Sequence, residues 1–220
     1  MAAFDAVDVE VTTLREARTA IAQRAVITQG GKPMLDATIW SVGEVEGLVH
    51  EATAPPDVAG PDGLLLFEEH LTEEELANPQ GYPFWQNLDG KPLEFRRERP
   101  TGPSEPVWRG WHRFRPTATF DDPWIDACRA LILIDIQSWP SATPPHWGSA
   151  DLERYYAPSL DLYVAFHDPC PDSEWLLTDG RSPIARDGLI GWDGRLWAAD
   201  RRLVASGAGQ LLCRRLPGAG

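Results

Sequence analysis

The sequence predicts an α+β fold in which antiparallel strands surround one long buried helix. Three observations predict it: strict apolar–polar alternation opens the chain, a capped apolar stretch of about 16 residues follows the midpoint, and β-rich runs separated by short polar turns fill most of the rest.

Val7, Val9 and Val11 alternate with Asp8, Glu10 and Thr12, the period-2 pattern of a half-buried strand. The runs Thr19 to Thr28 and Met34 to Val42 are joined through Gly30-Gly31, which tolerate positive φ and read as a hairpin turn. Residues 1–43 are therefore expected to be an antiparallel meander. From 44 to 106 prolines and glycines crowd together, as in Ala54-Pro55-Pro56 and Gly60-Pro61-Asp62-Gly63, and this stretch reads as a connection. Within it, Thr72 with Glu75 three residues on signals a short capped helix to Ala77. Glu94 to Arg99 is a mixed charge run, read as a solvated face.

Residues 107–220 form the regular half. Val107 to Pro116 is expected to be a strand with Trp108, Gly110, His112 and Phe114 on one face. Asp122 followed by Pro123 starts a helix, since Asp caps and Pro suits the first helical position. Trp124, Cys128, Leu131, Ile132 and Trp139 form its main apolar stripe, and Pro140 closes it. Leu131 to Ile136 would also suit a strand, but the cap and the length favour a helix buried nearly all round. Four strands follow: Ser159 to His167 with Leu160, Leu162, Val164 and Phe166 inward, Glu174 to Thr178, Asp187 to Ala198, and Leu203 to Arg214.

Composition narrows the function. The 220 residues suffice for one generous domain or two small units sharing a core. With 33 acids against 20 Lys plus Arg, the formal charge is −13, so a general nucleic-acid surface is not expected. No apolar run is long enough for a membrane helix, and the acidic N-terminus is unlike a signal peptide, so a cytoplasmic location is expected. Three scattered cysteines give no disulfide framework or CxxC motif. His112, His146 and His167 make no HxH or HxxxH pair, so no metal is expected. His167 is read as a strand-end residue. GxSxG, GxGxxG and the P-loop pattern do not occur, which argues against a serine nucleophile and a nucleotide-phosphate cradle.

Arg18-Thr19-Ala20-Ile21-Ala22 is echoed by Arg181-Ser182-Pro183-Ile184-Ala185, each followed by strand, polar turn and strand. Two copies of one β-unit are expected from this echo. Yet 71 residues separate Gly110 from Arg181 whereas only 17 precede Arg18, a deficit of about 54 in the first copy that includes its helix. The reading frame is accordingly expected to begin upstream of Met1.

Ser159-Leu160-Asp161-Leu162, Phe166-His167, Glu174-Trp175-Leu176-Leu177 and Asp200-Arg201-Arg202-Leu203-Val204-Ala205-Ser206 occur in an order that resembles the C-terminal half of the acyl-CoA thioesterase II-like family. The resemblance implies a double hotdog, with two sheets each wrapped on a central helix, the first hotdog being N-terminally truncated. It also implies hydrolysis of a fatty acyl thioester by an activated water. Members that hydrolyse thioesters use an Asp on the central helix, a Thr or Ser opening the next strand and a Gln on the last strand. By position these are Asp135, Ser159 and, with a one-residue slip, Gln210. Counting without a gap puts Gly209 at the Gln position, and a β-bulge in Gly207-Ala208-Gly209 would restore Gln210 to the correct face.

Each residue has a plainer reading beside the functional one. Asp135 lies on the expected apolar stripe, where it either orients a water or is a structural carboxylate satisfied by a hydroxyl or backbone N–H. Ser159 holds a water or caps a strand, and Gln210 positions a water or is an ordinary amide. The tryptophans Trp108, Trp111, Trp124, Trp139 and Trp147 are core by default, a share of them lining an acyl tunnel as a second reading. Arg201-Arg202 and Arg214-Arg215 are read as solvated strand ends before CoA-phosphate contacts. The expected partner is an acyl-CoA or acyl-thioester substrate, with no cofactor and with a homo-oligomer implied by resemblance alone. The rival from another class is a non-catalytic acyl-CoA-binding or scaffold hotdog. A Trp-rich carbohydrate-binding β-domain leaves the helix unexplained.

Overall fold

A computed structural model describes residues 5–77, 83–93, 95, 97, 102, 104–149 and 152–216, in two compact units, Met1–Ala52 and Thr53–Gly220. Glu94, Arg96, Glu98 and Arg99 of the charge run lie outside the described residues.

The first unit is the expected meander: β1 (Asp8–Glu16), β2 (Ala20–Gln29) and β3 (Lys32–Val42) pair in order, all antiparallel. The β2–β3 turn places Gly30 and Gly31 at φ +56° and +75°, left-handed values that only a residue without Cβ adopts freely. The alternation set the strands but not a buried face. Val9 and Val11 are 60% and 57% exposed, because no described element of this unit packs on them.

In the second unit the expected short helix is α1 (Glu73–Ala77), closed by a capping box. The Glu75 carboxylate accepts the Thr72 N–H at 2.7 Å, and Thr72 Oγ1 accepts the Glu75 N–H at 3.3 Å. β4 (Leu88–Pro92), β5 (Val107–Phe114), β7 (Ser159–Phe166), β8 (Leu176–Arg186), β9 (Leu189–Ala198) and β10 (Leu203–Leu212) build a six-stranded antiparallel sheet in the order β4-β5-β8-β9-β10-β7. The two-residue strands β6 (Tyr155–Tyr156) and β11 (Arg214–Arg215) pair beside it. Thus part of the Pro/Gly-rich stretch supplies a sheet strand. Another part covers the outer face: Trp111 donates its indole N–H to the Ala59 carbonyl at 2.9 Å, and Val58 and Leu64 pack on Trp111, Leu177 and Trp197.

The repeat holds as an order of elements, β1-β2-β3 matching β8-β9-β10 as three-stranded meanders. The pentads do not coincide in it: Arg18–Ala22 leads into β2, whereas Arg181–Ala185 lies within β8.

The helix begins where the sequence placed it. α2 (Pro123–Asp135) is capped by the Asp122 carboxylate, which accepts the Trp124 and Ile125 N–H groups at 2.8 and 3.2 Å. It is shorter than expected. A second helix, α3 (Ser138–Ala142), follows with Pro140 as its third residue, where a missing N–H costs no intrahelical bond. The buried face is also not the expected one. Trp124 is 72% and Leu131 39% exposed, while Asp126, Arg129, Ala130, Leu133 and Ile134 are buried.

Polar residues turn inward because they satisfy one another. The Arg129 guanidinium donates to both Asp126 carboxylate oxygens at 2.8 Å and to the carbonyls of Ser173 and Cys170 at 2.9 Å. That pairing fastens the β7–β8 loop to the helix and removes the penalty for a buried charge. Leu160 and Phe166, expected inward, are 53% and 55% exposed on β7, which is the edge strand.

α2 and α3 lie close on the sheet because its floor lacks side chains beneath them. A Cβ on Gly207 would stand 2.5 Å from Ile134 Cγ2 and 2.5 Å from the Tyr163 carbonyl oxygen. Cβ atoms on Gly180 and Gly194 would fall 2.8 and 2.7 Å from the Gln137 side chain. Gly207→Ala must therefore push helix and sheet apart. It is expected to lower the unfolding free energy by about 1–3 kcal/mol in a urea titration, whereas the exposed Gly43→Ala leaves it nearly unchanged.

Candidate functional site

The last residue of α2 and the first of β7 meet. Ser159 Oγ donates to Asp135 Oδ1 at 3.0 Å, so two of the three residues singled out in the sequence are in contact. Their approach follows from the local chain. Asp135 ends the capped helix one residue after the buried Ile134, which is held over Gly207. Ser159 follows Pro158, whose carbonyl accepts the Leu212 N–H at 3.0 Å and fixes the strand entry. Asp135 is half-buried and Ser159 exposed, so the pair is open to water. This corrects the expectation that Asp135 sits on the helix's buried stripe.

Gln210 does not join them. Gly207, Ala208 and Gly209 pair without interruption with both β7 and β9, so the bulge that would have rotated Gln210 inward is not there. The irregularity lies between Gln210 and Leu211, and the extra residue, Leu160, is on β7. Gly207 and Gly209 face the helix, and the exposed Gln210 faces away, its backbone N–H donating to Asp161 Oδ1 at 2.8 Å. Gly209 also has a steric reason to be glycine: a Cβ there would lie 2.5 Å from the Asp161 carbonyl oxygen and 3.2 Å from Trp192 Nε1. No amide side chain starts at this position without a backbone shift.

The histidines are dispersed. The His167 ring bonds Ser206 Oγ at 2.8 Å, and its backbone N–H donates to the Val204 carbonyl, a strand-end role of the kind expected. His112 is buried on β5 beside Thr178, whose hydroxyl donates to the Gly110 carbonyl at 3.0 Å. Burial drives its pKa down to about 4, against a weaker opposing hydrogen bond to Gly110. Among the described residues no group of three His, Cys, Asp or Glu side chains is gathered as a metal site. No described helix is long and apolar enough to cross a membrane. The Arg129–Asp126 pair escaped the sequence reading, although its i, i+3 spacing is a visible signal of contact.

Residues 64–212 match the acyl-CoA thioesterase C-terminal domain family. Among solved structures, acyl-CoA thioesterase II TesB2 from Mycobacterium marinum superposes with a TM-score of 0.75 at 23% identity, over 96% of this chain and 74% of that one. The tesB protein of Mycobacterium avium subsp. paratuberculosis gives 0.71 at 22% identity, over 94% and 71%. A conserved protein of unknown function with a hot dog fold from Alicyclobacillus acidocaldarius gives 0.70 at 16% identity, over 94% and 72%. Likenesses at these identities establish the hotdog architecture. Comparison with curated proteins gives no match.

The depressed pKa of His112 has a consequence for stability. The unfolded chain takes up a proton near pH 6.5, whereas the folded chain does so only near pH 4. Stability attributable to this group is therefore complete above pH 6.5 and lost as pH falls toward 4, by up to about 3 kcal/mol. Urea titrations at pH 7 and pH 4.5 should show a larger drop for the native chain than for His112→Leu.

Proposed function

We propose that this chain, which belongs to the acyl-CoA thioesterase C-terminal domain family, hydrolyses a fatty acyl thioester with Asp135 as the group that activates water. The observation that carries the reading is the 3.0 Å contact between Ser159 Oγ and Asp135 Oδ1. One carboxylate oxygen is engaged by the hydroxyl, which fixes the orientation of the group. The other, which has no hydrogen bond among the described residues, would accept a proton from water.

In the proposed reaction, water attacks the thioester carbonyl carbon as Asp135 takes its proton. Backbone N–H groups take up the charge that develops on the carbonyl oxygen. The tetrahedral intermediate collapses, the carbon–sulfur bond breaks, and the departing thiolate receives the proton from Asp135. The products are a free acid and a thiol, and neither a covalent acyl-enzyme nor a cofactor is needed. Gln210, facing away from the helix, has no part in this scheme. We also propose that the protein acts as a homo-oligomer in the cytoplasm, the exposed apolar side chains of α2 and β7 favouring self-association.

One observation favours the non-catalytic reading, an acyl-CoA-binding or scaffold hotdog: Gly209 stands where resemblance puts a water-holding amide. Thiol release from short, medium and long acyl-CoAs decides between the two. Turnover is expected to vanish in Asp135→Asn with the thermal midpoint preserved, and to fall about 10- to 100-fold in Ser159→Ala. Saturable acyl-CoA binding with no thiol released, unaffected by Asp135→Asn, would establish the binding protein instead.

A further inference from the structure

On the helix-facing side of β4 and β5 lies a cavity of about 330 Å³, the size of small-molecule sites. Four inter-strand spacings separate β5 from β7, about 19 Å across the sheet, so this cavity is apart from the Asp135–Ser159 pair. Its walls include Phe67, Trp85 and Trp108, and Gly90 and Gly110 leave the floor bare. A Cβ on Gly90 would start in ordinary contact, 3.8 Å from His112 Cδ2 and 4.0 Å from Nε2, so a side chain there would grow into the cavity.

The lining carries one carboxylate, Glu68, and one imidazole, His112, beside the ammonium of Lys91 and the indoles of Trp85 and Trp108. Glu68 gives one carboxylate oxygen to Arg115 at 3.3 Å, while Oε2 is enclosed and has no partner among the described residues. Arg115 is shared with Asp89 at 3.1 Å and with the Leu88 carbonyl at 2.9 Å, so it neutralises Glu68 only in part. His112, more than nine-tenths buried, turns its Nε2 edge toward Gly90 and stays neutral at physiological pH. The lining cation, Lys91, is committed elsewhere. Its Nζ donates to the Pro61 carbonyl at 2.8 Å and lies 4.7 Å from the Trp175 ring centroid.

Aromatic walls, a partly compensated carboxylate and a neutral imidazole suit an occupant that brings positive charge or donors. Indole and phenyl faces attract cations, and the chain's charge of −13 favours their approach. We propose that this cavity binds a small organic cation with an apolar body, an alkyl- or arylammonium.

Calorimetric titration of the full chain with benzyltrimethylammonium and with benzyl alcohol tests it, independently of any hydrolytic activity. The cation is expected to bind about tenfold more tightly than the alcohol. Glu68→Gln should weaken the cation about five- to tenfold and leave the alcohol unchanged, and Gly90→Val, its thermal midpoint checked first, should abolish both. Equal affinity for cation and alcohol, no saturable binding, or binding that both variants retain would overturn the proposal. So would displacement of the cation by acyl-CoA, which would assign it to the thioester site.

Discussion

The constraint on which the second unit depends is the distance between α2 and its sheet. Ile134 and Gln137 occupy the volume that side chains at Gly207, Gly180 and Gly194 would have filled. Three strands thus contribute glycine where the helices press hardest, and the cost in strand propensity is offset by close packing. The helix is then locked from its flank by Arg129, whose donors reach Asp126 and two loop carbonyls. Asp135 inherits its place from both: it ends a helix that can neither rise from the sheet nor turn on its axis.

How much of this was legible in the sequence varies by element. The β2–β3 hairpin, the Thr72 capping box and the Asp122–Pro123 start are local, and each residue involved performs one recognisable task. The buried face of α2 was not legible, because apolar periodicity assumes that polar residues seek water. Asp126 and Arg129 break that assumption by pairing with each other and with carbonyls more than 40 residues away. The Pro/Gly-rich stretch was read as a connection for a related reason. Its role as cover for Trp111 and Leu177 depends on which sheet face lies bare, a property of the assembled strands.

At the site, the pairing of Asp135 with Ser159 followed from resemblance, and neither residue alone would have singled it out. A bulge does occur in this pair of strands, at Leu160 of β7 rather than within Gly207-Ala208-Gly209. A register shift affects β7 and β10 alike in pattern, and only the ladder shows that Leu160 is the residue left over. The structure also gives Gly209 a meaning that counting could not. A carbonyl of the neighbouring strand stands where its side chain would begin.

The order of the sheet bears on how the chain reaches it. β5 pairs with β8 through Val107↔Arg181 and its neighbours, across a span of chain that contains α2, α3 and β7. Closing so long a loop costs more entropy than joining neighbouring strands, and long-range pairings of this kind slow folding. The β8–β9–β10 meander can form early from adjacent segments. Until β5 docks, Trp111 is missing from the cluster it forms with Leu177 and Trp197, and that apolar face is open to misassociation.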